Sequence, residues 1–152
     1  MDWTSSKETN WICRQIVTEA LDGIIIADRE GTIRLWNTGA ERIFGRPAAE
    51  ALGQTLDLIV PEKYRVDHWA GFQKTMASGA TKYGAETLNV PAMRADGSRA
   101  SIEFTVVLLR EPAGRVAGVA AIIRDATARR EKELALKKRL EALEADSSGT
   151  AR

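Results

Sequence analysis

His68, the single histidine of the chain, lies in a segment, residues 61–79, that the sequence predicts to be helical. A proline in the first turn and a glycine after the last turn favour helix boundaries at these two ends. Side chains at every fourth position share one face of such a helix, and here they are Tyr64, His68, Phe72 and Met76. A neutral imidazole on an apolar face can coordinate a metal ion, or it can belong to the core with one hydrogen-bond partner. Both interpretations stay open on these residues alone.

The composition of the 152-residue chain restricts the chemistry open to it. One cysteine, Cys13, excludes an internal disulfide and a thiolate-rich metal site, and one histidine excludes a multi-histidine metal site. The sequence shows no nucleophile–base pair and no phosphate-binding loop. Asp67 and His68 form no dyad, because neighbours in a helix point about 100° apart. We therefore expect a protein that is not an enzyme.

Charge and hydropathy favour neither nucleic acid nor a membrane as a partner. The 22 basic and 21 acidic residues give a formal net charge of +1. Basic residues near the C-terminus are interleaved with glutamates, which is typical of a solvated helix face. No apolar run approaches the roughly 18 residues of a membrane span, and the N-terminus lacks the layout of a signal peptide. The expectation is a cytoplasmic protein.

The elements around the histidine helix are predicted to form one α+β domain. An amphipathic helix over residues 1–20 is followed by strands, short helical pieces and the histidine helix. Alternating patterns and turns rich in Gly, Pro and Asp predict strands at residues 23–27, 32–37, 82–93, 98–109 and 115–124. Hairpin connections imply a five-stranded antiparallel sheet with helices on one face and a flanking helix at each terminus.

The predicted domain, residues 21–127, is followed by a helix over residues 128–145 and a disordered tail over residues 146–152. A four-then-three spacing, which is typical of a coiled-coil seam, is followed by Leu136, Leu140 and Leu143. This spacing favours a dimerising or signal-output helix over a solvated helix packed on its own domain. We expect a homodimer formed through the terminal helices.

Three stretches resemble the PAS domain family: DGIIIADREGTIRLWNTGAERIFG, MRADGSRASIEF and IIRDATARREKE, with Asp125 and Thr127 at the family's Asp-x-Thr positions. The resemblance covers residues 20–130. It implies a sensory or interaction module that holds a small molecule between sheet and helices, or pairs with another copy. Such a module passes a change to the element after its last strand. Because little follows that strand here, the effector, for example in the regulation of transcription, is expected to be a separate protein.

Within this family, residues 61–68, PEKYRVDH, are similar to the haem-ligating helix of the FixL-type oxygen sensors, whose pattern is Pro-Glu-x-x-Arg-x-x-His. The resemblance implies b-type haem as cofactor and His68 as the iron ligand. It also implies a diatomic gas (oxygen, carbon monoxide or nitric oxide) or a redox change as the signal. On the helix side it implies haem contacts from Tyr64, Gly71 and Phe72, and contacts to the haem carboxylates from Lys74 and Lys82.

On the opposite side, the resemblance places Tyr83, Leu88, Phe104 and Val106 around the gas. Leu88 stands where the FixL-type sensors have an arginine that hydrogen-bonds oxygen. Hydrogen bonds to charged groups contribute about 1.5–3 kcal/mol, so oxygen loses that stabilisation here. We expect a mostly apolar gas pocket, unless Tyr83 or Asn89 reaches into it, and carbon monoxide loses less there than oxygen does.

Two other functions stay open for a PAS domain with this sequence. A cofactor-free module would act through dimerisation or protein contacts, with Trp3 and Trp11 in the interface. A pocket for a small organic ligand, such as a metabolite or a noncovalent flavin, would involve residues that are equally natural on the sheet surface: Arg34, Trp36 and Asn37. A covalent flavin photoadduct is excluded, because the photoreceptor branch needs a cysteine in a segment that reads LDLIV here.

Overall fold

The computed structural model describes residues 5–81 and 86–149. The helices of this part of the chain are α1 (Ser6–Glu19), α2 (Thr38–Phe44), α3 (Ala48–Ala51), α4 (Arg65–Ser78) and α5 (Thr127–Gly149), with 3-10 turns at Leu56–Leu58 and Glu62–Tyr64. The strands are β1 (Gly23–Asp28), β2 (Ile33–Trp36), β3 (Leu88–Met93), β4 (Arg99–Arg110) and β5 (Val116–Asp125). The predicted α+β class is confirmed.

The five strands form one antiparallel sheet in the order β2-β1-β5-β4-β3. Its two halves join where β1 pairs with β5, from Gly23 opposite Ile123 to Asp28 opposite Gly118. The turn between β1 and β2 contains Gly31 with a φ of 79°, a value that suits glycine because an L side chain is strained there. The predicted five-stranded antiparallel sheet is confirmed. The strand β3 begins at Leu88, so residues 86 and 87 of the predicted strand lie before it, and residues 82–85 of that prediction lie outside the described residues.

The core lies between one face of the sheet and the helices α2 and α3. Burial alternates along β1, because successive side chains of a strand point to opposite faces of the sheet. Ile25, Ile33, Ile102 and Ile123 are buried on the sheet side and belong to one cluster with Phe44 of α2. We call this face of the sheet the inner face.

Asn37 connects α1 to the sheet and is the buried polar residue of the described chain, with only 4% of it exposed. Its Oδ1 accepts hydrogen bonds from the backbone N–H of Ile24 at 2.7 Å and of Ala40 at 2.9 Å, and it caps α2. Its Nδ2 donates to the backbone carbonyls of Val17, Ala20 and Asp22. The interpretation of Asn37 as a sheet-surface residue is therefore wrong: local sequence does not show that these carbonyls converge on it.

The helix α1 is capped by Ser5, whose hydroxyl accepts from the backbone N–H of Glu8 at 3.3 Å. None of its residues is buried. Trp11 is 50% exposed and Ile16 is 61% exposed, so the helix has an apolar face that the rest of the described chain leaves open to solvent.

The helix α5 follows β5 directly. The Asp125 carboxylate accepts hydrogen bonds from the backbone N–H of Thr127 at 2.9 Å and from Arg94 at 2.9 Å, which fixes the start of the helix. No residue of α5 is buried. Its exposed apolar side chains are Leu134, Leu136, Leu140 and Leu143.

The end of α5 corrects the predicted tail. The helix runs to Gly149, so the disorder expected from residue 146 is wrong for residues 146–149. Ser147 and Ser148 fit into the last turns because their hydroxyls donate to the carbonyls of Glu144 and Ala145. The three residues after Gly149 lie outside the described part. No described helix is both long and apolar enough to cross a bilayer.

Candidate functional site

A cavity of about 780 Å³ lies between α4 and the inner face of the sheet. Its volume falls in the range of pockets that hold small molecules, about 300–1,000 Å³. The helix side is formed by Tyr64, Asp67, His68, Gly71, Phe72, Lys74, Thr75 and Ser78. Every sheet residue that lines the cavity in the described chain is apolar, including Ile25, Leu88, Ile102, Phe104, Val106 and Ile123.

The structure brings most of the predicted cofactor contacts together around this cavity. Those that line it are Tyr64, His68, Gly71, Phe72, Lys74, Leu88, Phe104 and Val106. Lys82 and Tyr83 lie outside the described residues. The fourth member of the predicted helix face, Met76, is buried and does not line the cavity. That these side chains hold a cofactor stays a prediction.

His68 lies on the helix wall and is partly buried. Its imidazole Nδ1 is buried and has no hydrogen-bond partner among the described residues. The ring contacts Trp69 edge-on, with centroids 5.1 Å apart, and lies 6.1 Å from the ring of Phe72. Burial lowers the pKa of His68 below its usual value, and the negative charge of Asp57 partly opposes this. The imidazole is therefore neutral at pH 7 and keeps a lone pair that can coordinate a metal.

The support behind His68 comes from Trp69, which sequence reasoning missed. The indole Nε1 donates to the Asp57 carboxylate at 2.8 Å, and the ring packs over the turn between β1 and β2. At Gly31 in that turn, a Cβ atom would lie 2.2 Å from the indole, so only glycine fits. Trp69 is therefore held between Asp57 and the β1–β2 turn, with its ring in edge-on contact with the imidazole. In the sequence, the one hint of this support is that a tryptophan directly follows the candidate ligand His68.

The opening of the cavity carries the polar groups. Lys74 and Asp67 are exposed side chains that line it from α4. Tyr64 ends the 3-10 turn before α4 instead of lying within the helix, and it is 39% exposed with Lys63 Nζ 4.7 Å from its ring centroid. An added Cβ at Gly71 would meet nothing within 4 Å, so a flat ligand can approach the helix backbone there.

The sheet wall, as far as its residues are described, supplies no polar side chain to the cavity. Leu88 lies opposite Phe104 in the pairing of β3 with β4, and Val106 lies opposite Ala121 in the pairing of β4 with β5. Asn89, the neighbour of Leu88, is exposed and does not line the cavity, and neither do Arg34, Trp36 and Asn37. A ligand in the cavity therefore meets hydrocarbon on the sheet side and all polar groups on the helix side.

The described site does not suit a bare metal ion. The described residues contain no group of three or more His, Cys, Asp or Glu side chains close enough to hold one. A metal that brings its own equatorial ligands needs only one protein ligand, and His68 can provide it.

The sequence model of the PAS fold matches residues 17–131, which is most of the chain. The chain therefore belongs to the PAS family, and it is a PAS sensory module of signal transduction.

Curated relatives support the same family. An uncharacterized protein of Azorhizobium caulinodans is 34% identical over 94 residues, which cover 61% of this chain and 13% of that protein. Sensor protein FixL of Bradyrhizobium diazoefficiens is 40% identical over 55 residues, which cover 36% of this chain and 11% of that protein. The chain thus spans only a small part of the length of these relatives.

Solved structures share the fold. The PAS domain of a protein from Colwellia psychrerythraea superposes with a TM-score of 0.69 at 22% identity, covering 79% of this chain and 98% of that one. An RNA-binding light-oxygen-voltage receptor superposes with a TM-score of 0.75 at 24% identity, covering 93% of this chain and 40% of that one. At these identities the likeness shows the PAS fold alone.

Proposed function

We propose that this PAS module senses its signal through b-type haem bound in the cavity, with the iron held by His68. The observation that carries the proposal is the position of that residue: the only imidazole of the chain lies on the wall of a largely apolar cavity, and its buried Nδ1 has no partner among the residues that the structure describes. The resemblance of residues 61–68 to the haem-ligating helix of FixL-type sensors supports it, as does the similarity to sensor protein FixL.

The residues present fit a haem. The neutral imidazole on the cavity wall suits haem iron, and the open space at Gly71 lets a planar group lie against α4. The sheet wall, which includes Leu88, Phe104 and Val106, is apolar and can pack against the apolar face of a macrocycle. Lys74, at the rim, can meet a carboxylate as a point charge.

When bound, haem supplies an iron centre that exchanges a diatomic gas or an electron. The chain's own residues do the rest. His68 provides a neutral nitrogen, because burial disfavours its protonation. Trp69, held by Asp57, keeps the imidazole in place. The described sheet residues of the lining are apolar, so their side chains offer water no hydrogen-bond partner in the cavity.

The proposed signal is oxygen, carbon monoxide, nitric oxide or a redox change, with the wall around Leu88 deciding among the gases. Oxygen needs a polar partner more than carbon monoxide does, and hydrogen bonds from charged groups contribute about 1.5–3 kcal/mol. Because the sheet residues that line the described cavity are apolar, we expect weaker oxygen binding than a sensor with an arginine there would show.

The test is an absorption spectrum of the chain titrated with hemin, beside His68→Ala and Gln73→Ala. Gln73 lies on the same helix but does not line the cavity, so its variant controls for changes to α4. We expect a Soret band in the parent and in Gln73→Ala, and a shifted or absent band in His68→Ala. A parent without a Soret band, or three identical spectra, would refute the proposal.

We propose that the signal leaves through a homodimer that acts on an effector. The exposed apolar residues of α1 and α5 support this, since a helix with no buried side chain gains stability from a partner. Light scattering on the parent and on a Leu136→Gln, Leu140→Gln double variant tests it. We expect a dimer for the parent and a monomer for the variant, and two monomers would refute the interface.

The same exposed helices favour a second function, a cofactor-free interaction module. It predicts a colourless protein that dimerises or binds its effector equally well with and without hemin. A small organic ligand or noncovalent flavin remains the alternative occupant of the cavity, and fluorescence titration with flavin mononucleotide distinguishes it from haem.

A further inference from the structure

Arg29 connects the end of α4 to the start of β5. It is the first residue after β1, and its Nη1 donates to the backbone carbonyl of Val116, the first residue of β5. Its Nη2 donates to the carbonyl of Met76, in the last turn of α4, at 3.4 Å. One planar guanidinium thus joins two elements that are far apart in the sequence.

Arg110 makes a second connection of the same kind. It is the last residue of β4, and its Nη1 donates to the carbonyl of Gly114 in the β4–β5 turn at 3.1 Å. Its Nη2 donates to the carbonyl of Gly79, the cap of α4, at 2.5 Å. Both arginines therefore bind one carbonyl at the end of the helix and one carbonyl of the β4–β5 hairpin.

These connections complement those at the other end of α4. There, Trp69 is bonded to Asp57, and Arg65 donates to the carbonyls of Val60 and Asp57. Between its two ends the helix forms one wall of the cavity. The helix α4 is therefore connected to the rest of the molecule by polar contacts at its two ends, in addition to the apolar packing of Trp69 and Phe72 on the core.

We propose that Arg29 and Arg110 couple α4 to β5, so that a ligand-induced shift of the helix reaches β5 and the start of α5. The inference rests on the proposed function in so far as a ligand must enter the cavity. The planar fork of a guanidinium holds two carbonyls in a fixed geometry, which the flexible ammonium of lysine does not. β5 leads from this contact directly to Asp125, which holds the first residue of α5.

Arg115 provides a matched control. Together with Arg29 and Arg110, it lines a second, small cavity of about 270 Å³ between the end of α4 and the β4–β5 hairpin. Its guanidinium instead binds the Glu111 carboxylate with two hydrogen bonds, of 2.7 and 3.0 Å, within the hairpin. Arg115→Met therefore removes a neighbouring charge without cutting a connection to the helix.

The test is backbone hydrogen exchange on the full chain, with and without hemin, in the parent, R29M/R110M and R115M. Without hemin, the last turn of α4 is expected to exchange about ten-fold faster in R29M/R110M than in the parent, or about 1.4 kcal/mol. The readout is the start of β5, residues 116–118, because these residues do not line the cavity, whereas Val119, Ala121 and Ile123 do and would respond to hemin directly. With hemin, the change at residues 116–118 is expected in the parent and in R115M, and it falls at least about five-fold in R29M/R110M, while the change in α4 persists. A response of residues 116–118 that is equal in R29M/R110M and the parent would overturn the coupling.

Two further variants distinguish a failure of the coupling from a failure to fold and from a failure to bind haem. If R29M/R110M fails to fold, R29K/R110K keeps the charges but not the fork, and the same loss of response is expected. If the parent shows no Soret band, the haem proposal fails, and Gly71→Phe then replaces hemin as the perturbation, because a side chain there enters open space in the cavity. Hydrogen exchange at residues 116–118 of β5 should then change when Gly71→Phe is added to the parent, and it should stay unchanged when Gly71→Phe is added to R29M/R110M. A response that survives R29M/R110M refutes the coupling independently of haem.

Discussion

Replacing Asn37 with alanine removes five hydrogen bonds between one side chain and the backbone. Loss of a helix N-cap costs about 0.5–2 kcal/mol, and Ala40, whose N–H loses its partner, is fully buried. Each further buried group without a partner costs about 1–3 kcal/mol, while partly buried groups regain water. The cap is the bond to Ala40, and counting it with one further group left without a partner gives an expected loss of about 1.5–5 kcal/mol in the free energy of unfolding.

Urea unfolding followed by tryptophan fluorescence measures this loss. Small proteins have m-values of about 1–3 kcal/mol/M, so the midpoint should fall by roughly 2 M with an unchanged slope. Asn10→Ala is the matched control, because Asn10 is exposed on α1, and its effect should stay within about 0.5 kcal/mol. Asn37→Asp keeps the acceptor for Ile24 and Ala40 but turns a carboxylate toward three carbonyls, so it should also destabilise.

A loss below about 1 kcal/mol for Asn37→Ala would refute the reasoning, since it would mean that solvent replaces the side chain at little cost. If Asn37→Ala and Asn10→Ala lowered the free energy of unfolding equally, the hydrogen bonds of Asn37 would not be what stabilises the contact between α1 and the sheet.

Gly31→Ala is expected to destabilise the chain by about 1–3 kcal/mol more than Gly97→Ala in urea unfolding. Both positions have a φ near +80°, but only at Gly31 does the added carbon meet an indole, so equal losses would contradict the packing described there. For Asp125, burial alone would raise the pKa, but hydrogen bonds from Thr127 and the charge of Arg94 outweigh it and lower the pKa. The stabilisation is therefore present above the unfolded pKa, about 3.9, and is lost as the pH falls through the lower folded value. Asp125→Asn should flatten the stability curve below about pH 4, and a curve parallel to that of the parent would contradict this.

The sheet was predictable because its signals are local. Turns such as the one at Gly97 stand between alternating segments, and a two-residue period fixes which side chains face inward. The histidine face was predictable for the same reason, since His68 and Phe72 are neighbours on any regular helix. Both patterns can be recognised in the sequence without knowing which residues pack against them.

The rest depended on contacts between distant segments. Asn37 forms hydrogen bonds with residues 13 to 20 positions away in the sequence, and Trp69 forms one with Asp57, 12 positions away. Arg29 bonds to Val116 across 87 residues, and its partners among the described residues are backbone carbonyls, which every residue type offers equally. Because a carbonyl carries no mark in the sequence, the partners of these side chains appear only once the chain is folded.

The pairing of the first strand with the last determines how the domain can be made. Gly23 lies opposite Ile123, so the centre of the sheet closes only after β5 has emerged from the ribosome. Until then, the β1–β2 hairpin keeps an open strand edge, which is a site for chaperones or for mispairing with another nascent chain. Contacts of such long sequence separation also slow folding. Synthesis of the last strand is therefore the step that commits the nascent polypeptide to a closed sheet.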